Sequence, residues 1–339
     1  MTLAMTIGEI AIWTVGISVF GIIAGLFLLG VDRKLAAHMQ ARIGPPLRQP
    51  FTDVRKLLLK ENIVPGNAIA WLFNLAPFIA ICSSLVILLY LPLGSLYSPM
   101  TEYGDLVLVM YLLTIPALAM VAGGFASGSP YATVGAQREM VTMIAYELPL
   151  AMVVIGVAWR LGAAGVADPF LLSSISGNPI WSLVGPVGLI GVLLLVFVLA
   201  VVTPAELSRI PFDTQEAETE LAGGLLVEYS GRNLALFYLS SAVKTLVMGA
   251  IIVALFLPWN LSSYVAMPAT LAALADLAFF LLKVVLVMTL VVTLVRVGMA
   301  RLRINQVVTV YWIYLSAIGL AGILLLMADA ALITAPWWI

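Results

Sequence analysis

Eight stretches of this chain are almost unbroken in apolar residues over the length of a membrane crossing, near residues 8–31, 69–93, 105–126, 139–160, 181–203, 234–257, 272–297 and 307–328. A bilayer core is about 30 Å thick and takes about 20 helical residues to cross. Strands of a membrane barrel would instead alternate apolar and polar residues in segments of about ten. In lipid, moreover, every backbone N–H and C=O must find a partner within a helix or a closed barrel. The runs therefore predict an all-α, polytopic membrane protein of about eight transmembrane helices. The whole chain, 1–339, is expected to form one integral membrane domain. With 63% of residues hydrophobic and 10% charged, a disordered tail, a nucleic-acid binder and a soluble enzyme are excluded. Met1 to Glu9 has no Lys or Arg, so the first run is expected to stay in the protein and not to be cleaved as a signal peptide.

The few charges are unevenly placed. Twelve of the sixteen Lys and Arg residues fall in four connections, 32–68, 127–138, 204–233 and 298–306, and a thirteenth, Arg296, stands at the adjoining end of the seventh run. Short cytoplasmic loops carry such an excess, so these loops are expected in the cytoplasm of a cell with the chain in its inner membrane, and both termini on the other side. Within the first loop, Phe51, Val54, Leu57 and Leu58 recur at helical spacing while Asp53, Arg55, Lys56 and Lys60 take the other faces. That pattern predicts a short amphipathic helix lying in the membrane interface.

An ionisable residue at the bilayer centre costs ~2.5–3.5 kcal/mol on insertion scales, which makes each one a functional candidate. Glu147 lies eight residues beyond Glu139, about 12 Å deeper along a helix, and Pro149 beside it removes a backbone donor. Lys244 sits near the middle of the sixth run, and Asp276 and Lys283, seven residues apart, share a face of the seventh. These four residues fit a proton or ion path; the alternative is that they are static partners joining helices. The loop from Pro204 to Asn233 adds Glu206, Asp213, Glu216, Glu218, Glu220 and Glu228, interleaved with Pro211, Phe212, Leu221, Leu225, Leu226 and Tyr229. A loop of this length that mixes acids with apolar anchors is expected to pack, not to float. With one cysteine (Cys82) and one histidine (His38), the chain cannot supply the four or so thiolates of an iron–sulfur cluster or a Cys/His zinc site. No cofactor is expected in this chain, and any redox centre belongs to a partner.

Three stretches carry a resemblance: Asp32-Arg33-Lys34 with Ala41-Arg42-Ile43-Gly44-Pro45-Pro46-Leu47-Arg48-Gln49-Pro50-Phe51; Gly135-Ala136-Gln137-Arg138-Glu139 with Tyr146-Glu147-Leu148-Pro149; and Ala205-Glu206-Leu207-Ser208-Arg209-Ile210-Pro211-Phe212-Asp213 with Glu228-Tyr229. Together they resemble the membrane subunit of respiratory complex I that docks the hydrophilic arm, and its homologues in energy-converting (group 4) nickel–iron hydrogenases and formate hydrogenlyases. Gly44-Pro45-Pro46 running straight into Leu47-Arg48-Gln49-Pro50, and Glu206-Leu207-Ser208-Arg209 before Ile210-Pro211-Phe212-Asp213, are similar to the hydrogenase branch. The complex I subunit typically has further residues in the first motif and Glu-Thr-Asn-Arg in the second.

The resemblance implies a non-catalytic membrane subunit of a hydrogen-evolving oxidoreductase complex that links redox chemistry to proton or sodium translocation. Its loops would dock soluble nickel–iron large-subunit and iron–sulfur small-subunit homologues, with antiporter-like subunits as membrane neighbours. The nickel–iron centre and the clusters would be theirs. Docking would fall to Arg33, Arg42, Gln49, Arg55, Arg138 and Arg209, and the acidic path to Glu147, Glu206, Asp213, Glu216, Glu218, Glu220 and Glu228; Glu139 is a further candidate for the path outside that carry-over. Roles for Lys244, Asp276 and Lys283 rest on membrane cost alone. The quinone-site subunit of NADH:quinone oxidoreductase, a secondary ion transporter and a passive anchor remain the alternatives.

Overall fold

The computed structural model describes residues 7–96, 100–265 and 268–334; residues 1–6, where the segment lacking Lys and Arg begins, lie outside them. Eight described helices are long and apolar enough to cross a membrane, so the chain is a multi-pass all-α membrane protein. In chain order the helices are α1 (Ile7–Met39), the short α2 (Gln49–Leu59), α3 (Ala70–Tyr90), α4 (Leu106–Ala126), α5 (Pro130–Ala163), α6 (Pro186–Glu206) and α7 (Gly231–Phe256). Two composite helices follow. In α8, Ala269–Met288 continues through the π turn Thr289–Thr293 into Leu294–Gly298; in α9, Ile304–Thr309 leads through the π turn Val310–Leu315 into Ser316–Thr334.

Helix α7 is the axis of the bundle. In its most apolar window 89% of residues are buried, against 33–56% in the other seven spans. Helices α1, α3 and α8 pack directly on it, while α5, α6 and α9 pack together alongside. Small residues set the closest approaches. A Cβ on Gly25 of α1 would lie 2.5 Å from the Ala242 carbonyl of α7, and one on Gly191 of α6 would lie 2.8 Å from the Gly322 carbonyl of α9. Exposed Phe27, Ile155, Phe197, Leu282 and Leu324 face outward, as lipid-contacting helices require.

Two helices run well past their apolar cores. α1 has 33 residues and α5 has 34, about 50 Å each at 1.5 Å per residue. The first apolar run ends at residue 31 because charges follow, yet those charges are partnered and the helix continues. Asp32 accepts from Thr293 Oγ1 (2.7 Å) and Arg296 Nη1 (2.6 Å), and Arg33 donates to Asp53 (2.9 Å) and to the Tyr238 hydroxyl (2.8 Å). α1 ends where Ala41 and Gly44 turn to positive φ ahead of Pro45 and Pro46. α5 likewise starts at Pro130 and not near 139, since Pro suits the first helical position and Ala132, Gly135 and Ala136 bury the first turns.

The amphipathic helix expected after the first span is α2. It does more than lie in an interface: Val54 packs with Leu26 and Leu29 of α1 and Ala242 of α7, with Phe51 and Tyr238 alongside, while Leu58 and Leu59 remain exposed. On the face of the bundle away from α2, Arg160 and Asp329 form a buried ion pair, 3.4 Å apart, that ties α5 to α9. Asp329 also accepts from the Gly185 amide (2.9 Å) and Arg160 donates to the Leu183 carbonyl. Gly188 leaves the room this needs, because a Cβ there would lie 2.5 Å from the Asp329 carboxylate.

Candidate functional site

Helix α6 delivers Glu206 at its last turn, and the chain then doubles back through Ser208 at positive φ. Glu206 is 2% exposed and its Oε1 lies 2.7 Å from Nζ of Lys244, itself 6% exposed, on α7. The approach is a charge contact without hydrogen-bond alignment at that oxygen. A buried pair of this kind persists only when each charge compensates the other, since desolvating either alone costs several kcal/mol. The pair lines a cavity of about 190 Å³ together with Arg209, Glu216 and Tyr238. A water molecule occupies about 30 Å³ of liquid, so the cavity has room for several beside the pair.

Glu139 approaches from α5. It is 2% exposed and sits in the combined field of Lys244, Glu206 and Glu216. Because α5 begins at Pro130, Glu139 is nine residues inside the helix and not at its mouth, which corrects the expected start near 139. An α-helix turns by about 100° per residue. Glu139, Thr142, Met143 and Tyr146 therefore share the buried face, while Glu147 is rotated by roughly 80° from Glu139 and is half-buried, with exposed Ile144 and Leu148 around it. Glu147 still feels the charge of Glu206. Tyr146 is fully buried beside the pair, its ring edge-on to Tyr311, which donates to the Val201 carbonyl at 2.8 Å.

The acidic loop is packed over this cluster, as its composition predicts. Arg138 Nη1 donates to Glu220 (2.5 Å) and to the Thr214 carbonyl (3.3 Å), and Arg301 Nη2 lies 2.8 Å from Asp213. Gly224, at positive φ, sits so close to the Gln215 carbonyl that a Cβ would collide with it. Tyr229 anchors the end of the loop: its ring stacks on Phe73 at 4.1 Å, and its hydroxyl donates to the Phe73 carbonyl at 3.2 Å. Burial pushes that hydroxyl above the ordinary phenol range, so it stays a donor. Glu216 and Glu228 are half-buried; the side chain of Glu218 lies outside the described residues.

The expected docking residues divide. Arg42 and Arg55 are exposed. Arg33 and Gln49 both bind Asp53, which accepts from them at 2.9 and 2.8 Å; Arg33 thereby clamps α2 to α1 and, through Tyr238, to α7, while Gln49 bonds within α2 itself. Sequence reasoning passed over Asp53, although its position four residues after Gln49 on one helix face was the signal. Arg138 holds the acidic loop and Arg209 lines the cavity.

The four intramembrane charges do not form one run. Lys244 joins Glu206, with Glu147 within reach of that carboxylate's charge. Asp276 and Lys283 lie at the far end of α7. Asp276 accepts from the amide and hydroxyl of Ser262 (2.8 and 2.7 Å), and Lys283 donates to the Leu257 and Trp259 carbonyls (2.7 Å each). From Lys244 to Leu257 is about 20 Å of helix at 1.5 Å per residue, and its side chains from Leu246 to Phe256 are apolar or Gly and buried. Among the described residues no group of three or more His, Cys, Asp or Glu side chains is placed to hold a metal ion.

The family described as NADH dehydrogenase matches residues 12–327 of the chain. A subunit of the F(420)H(2) dehydrogenase of Methanosarcina mazei is 32% identical, over 88% of this chain and 87% of its own length. A subunit of the NADH-quinone oxidoreductase of Brevibacillus brevis is 34% identical, over 91% of this chain and 93% of its own. A chain of the membrane-bound sulfane sulfur reductase, an archaeal respiratory membrane complex, superposes with a TM-score of 0.81 at 27% identity, covering 94% of this chain and 99% of that one.

Proposed function

Because the chain belongs to the NADH dehydrogenase family, we propose that it is the arm-docking, energy-coupling membrane subunit of a multisubunit oxidoreductase, acting as a single membrane domain. The buried Glu206–Lys244 pair beneath a packed acidic loop is the observation that carries this. Charge arriving at a redox subunit seated on the loop changes the field at Glu206, Lys244 and Glu139, and their protonation responds. A unit charge about 8 Å away contributes about 2 kcal/mol at an effective dielectric of about 20. Moving one charge against 100 mV takes ~2.3 kcal/mol. One electron held near the loop is therefore of the size needed to drive one ion step. The loop face is the cytoplasmic one in this proposal, with both termini opposite, and of the expected docking cations Arg42 and Arg55 are exposed and left to meet a soluble partner.

Glu147, half-buried among apolar neighbours, is assigned the onward step from the cluster toward an antiporter-like membrane neighbour. Glu147→Gln is expected to reduce the charge moved per turnover several-fold while the complex still assembles and turns over. Membrane potential recorded in proteoliposomes alongside redox turnover tests this; an unchanged ratio removes Glu147 from the path.

The proposed chemistry of the soluble arm is hydrogen evolution, with a nickel–iron centre and iron–sulfur clusters on the partners. The Gly44-Pro45-Pro46-Leu47-Arg48-Gln49-Pro50 and Glu206-Leu207-Ser208-Arg209 stretches support it. A quinone-linked arm is the second reading, favoured by the relatives of about one-third identity, F(420)H(2) dehydrogenase and NADH-quinone oxidoreductase. Purification in mild detergent separates the two. Co-purifying nickel with hydrogen evolution is expected; quinone reduction without nickel would overturn the hydrogenase branch in favour of the second.

A further inference from the structure

Two hollows on the face opposite the Glu206 cluster are left without a role by the coupling mechanism. One is a polar cavity of about 380 Å³ lined by Ser173, Ser176, Asn260, Ser263 and Lys283. The other is an apolar groove of about 350 Å³ lined by Trp13, Gly16 and Phe20 of α1 with Leu93 and Leu277. Leu96 borders both, so the polar and the apolar hollow are neighbours that share one lining residue.

Their depth in the membrane follows from α8. Arg296, paired with Asp32, marks one boundary of the span, and about 20 residues suffice to reach the other, which places Asp276 at the opposite surface. The backbone of Lys283 is then about 10 Å inside it, at 1.5 Å per residue, and its ammonium reaches back toward that surface, to the carbonyl of Trp259, three residues before the Ser262 that binds Asp276. Trp259 lines the cavity and Trp13 the groove, in keeping with the concentration of tryptophan at the headgroup level. Lys283 donates two of its three N–H bonds to the Leu257 and Trp259 carbonyls and sits 5.0 Å from the Phe279 ring, so one ammonium N–H remains for an anionic acceptor. The nearby carboxylate of Asp276 already takes both donors of Ser262.

We propose that cavity and groove together form one binding site for a phospholipid of that leaflet, its phosphodiester on Lys283 among the serines and an acyl chain in the groove along α1. A free anion would use the cavity and ignore the groove. A hydrocarbon alone would use the groove and ignore the lysine. The junction at Leu96 fits the molecule that has both parts.

The test counts phospholipids retained by the complex after mild-detergent purification, by native mass spectrometry, with phosphatidylglycerol added back and inorganic phosphate as competitor. Lys283→Gln and Gly16→Leu should each remove one phospholipid per chain and weaken phosphatidylglycerol rebinding by tenfold or more. Gly16 is the informative second variant, because a Cβ there meets nothing within 4 Å, so the added side chain fills the groove without strain on the fold. Lys283→Arg should retain the lipid. An unchanged lipid count in both variants overturns the site. Loss in Lys283→Gln but not in Gly16→Leu, or displacement of the lipid by inorganic phosphate at millimolar concentration, overturns it in favour of a free-anion site.

Discussion

Lys244→Met is expected to destabilise the subunit by about 3–5 kcal/mol, the usual cost of removing one member of a buried ion pair. The reason is the carboxylate left behind. Glu206 is 2% exposed and its Oε1 has no aligned hydrogen-bond donor to replace the ammonium, while Glu216 lines the same pocket and adds a second carboxylate to it. The double variant Lys244→Met/Glu206→Gln removes both charges and should recover most of the loss, since a buried pair replaced as a unit is often near neutral in stability. Thermal unfolding of the purified complex measures both. Coupling separates the proposed role from a purely structural one. The double variant should assemble yet move little charge per turnover, whereas full coupling in a stable double variant would show that the pair is only a strut between α6 and α7.

Asp329→Asn should cost a similar amount, about 3–5 kcal/mol, with the opposite functional outcome. Asp329 compensates Arg160, whose side chain is 4% exposed, and also accepts from the Gly185 amide. Asparagine keeps the shape but leaves the guanidinium uncompensated. The pair stands on the face away from the acidic loop, so the charge moved per turnover should match the unmodified complex once the protein is stable enough to assay. Gly188→Ala should act at the same place by crowding the carboxylate, at about 1–3 kcal/mol for an overpacked site. If Asp329→Asn changes the coupling ratio, the acidic-loop cluster is not the sole seat of coupling.

Particular residues show why some sites were legible before folding and others were not. Glu206, Asp213 and Glu220 could be read as a packed acidic cluster because apolar anchors alternate with them in the chain, and the structure holds the loop down through those anchors and through Arg138 and Arg301. Glu147 stood out in the sequence as a carboxylate beside Pro149 in an apolar run. The fold instead buries Glu139, because α5 starts at Pro130 and the turn between the two acids carries Glu147 to the side of the helix. Arg33 and Gln49 read as exposed docking cations and polar contacts, but Asp53 takes them both within the chain.

The sequence by itself determined the eight crossings and the all-α class, because burying backbone polar groups in lipid leaves a continuous apolar run no other structure. It also determined that the acids concentrate in one loop, since that is a matter of order along the chain. Which charges meet was decided only by the tertiary structure. Lys244 is nearly forty residues from Glu206 and as far from Lys283, and nothing local distinguishes the two. The packing of α7 at the centre of the bundle brings one carboxylate to 2.7 Å and places about 20 Å of apolar helix before the other lysine. Pairing depends on distance across the bundle, which helix rotation and close approach set and hydropathy does not encode.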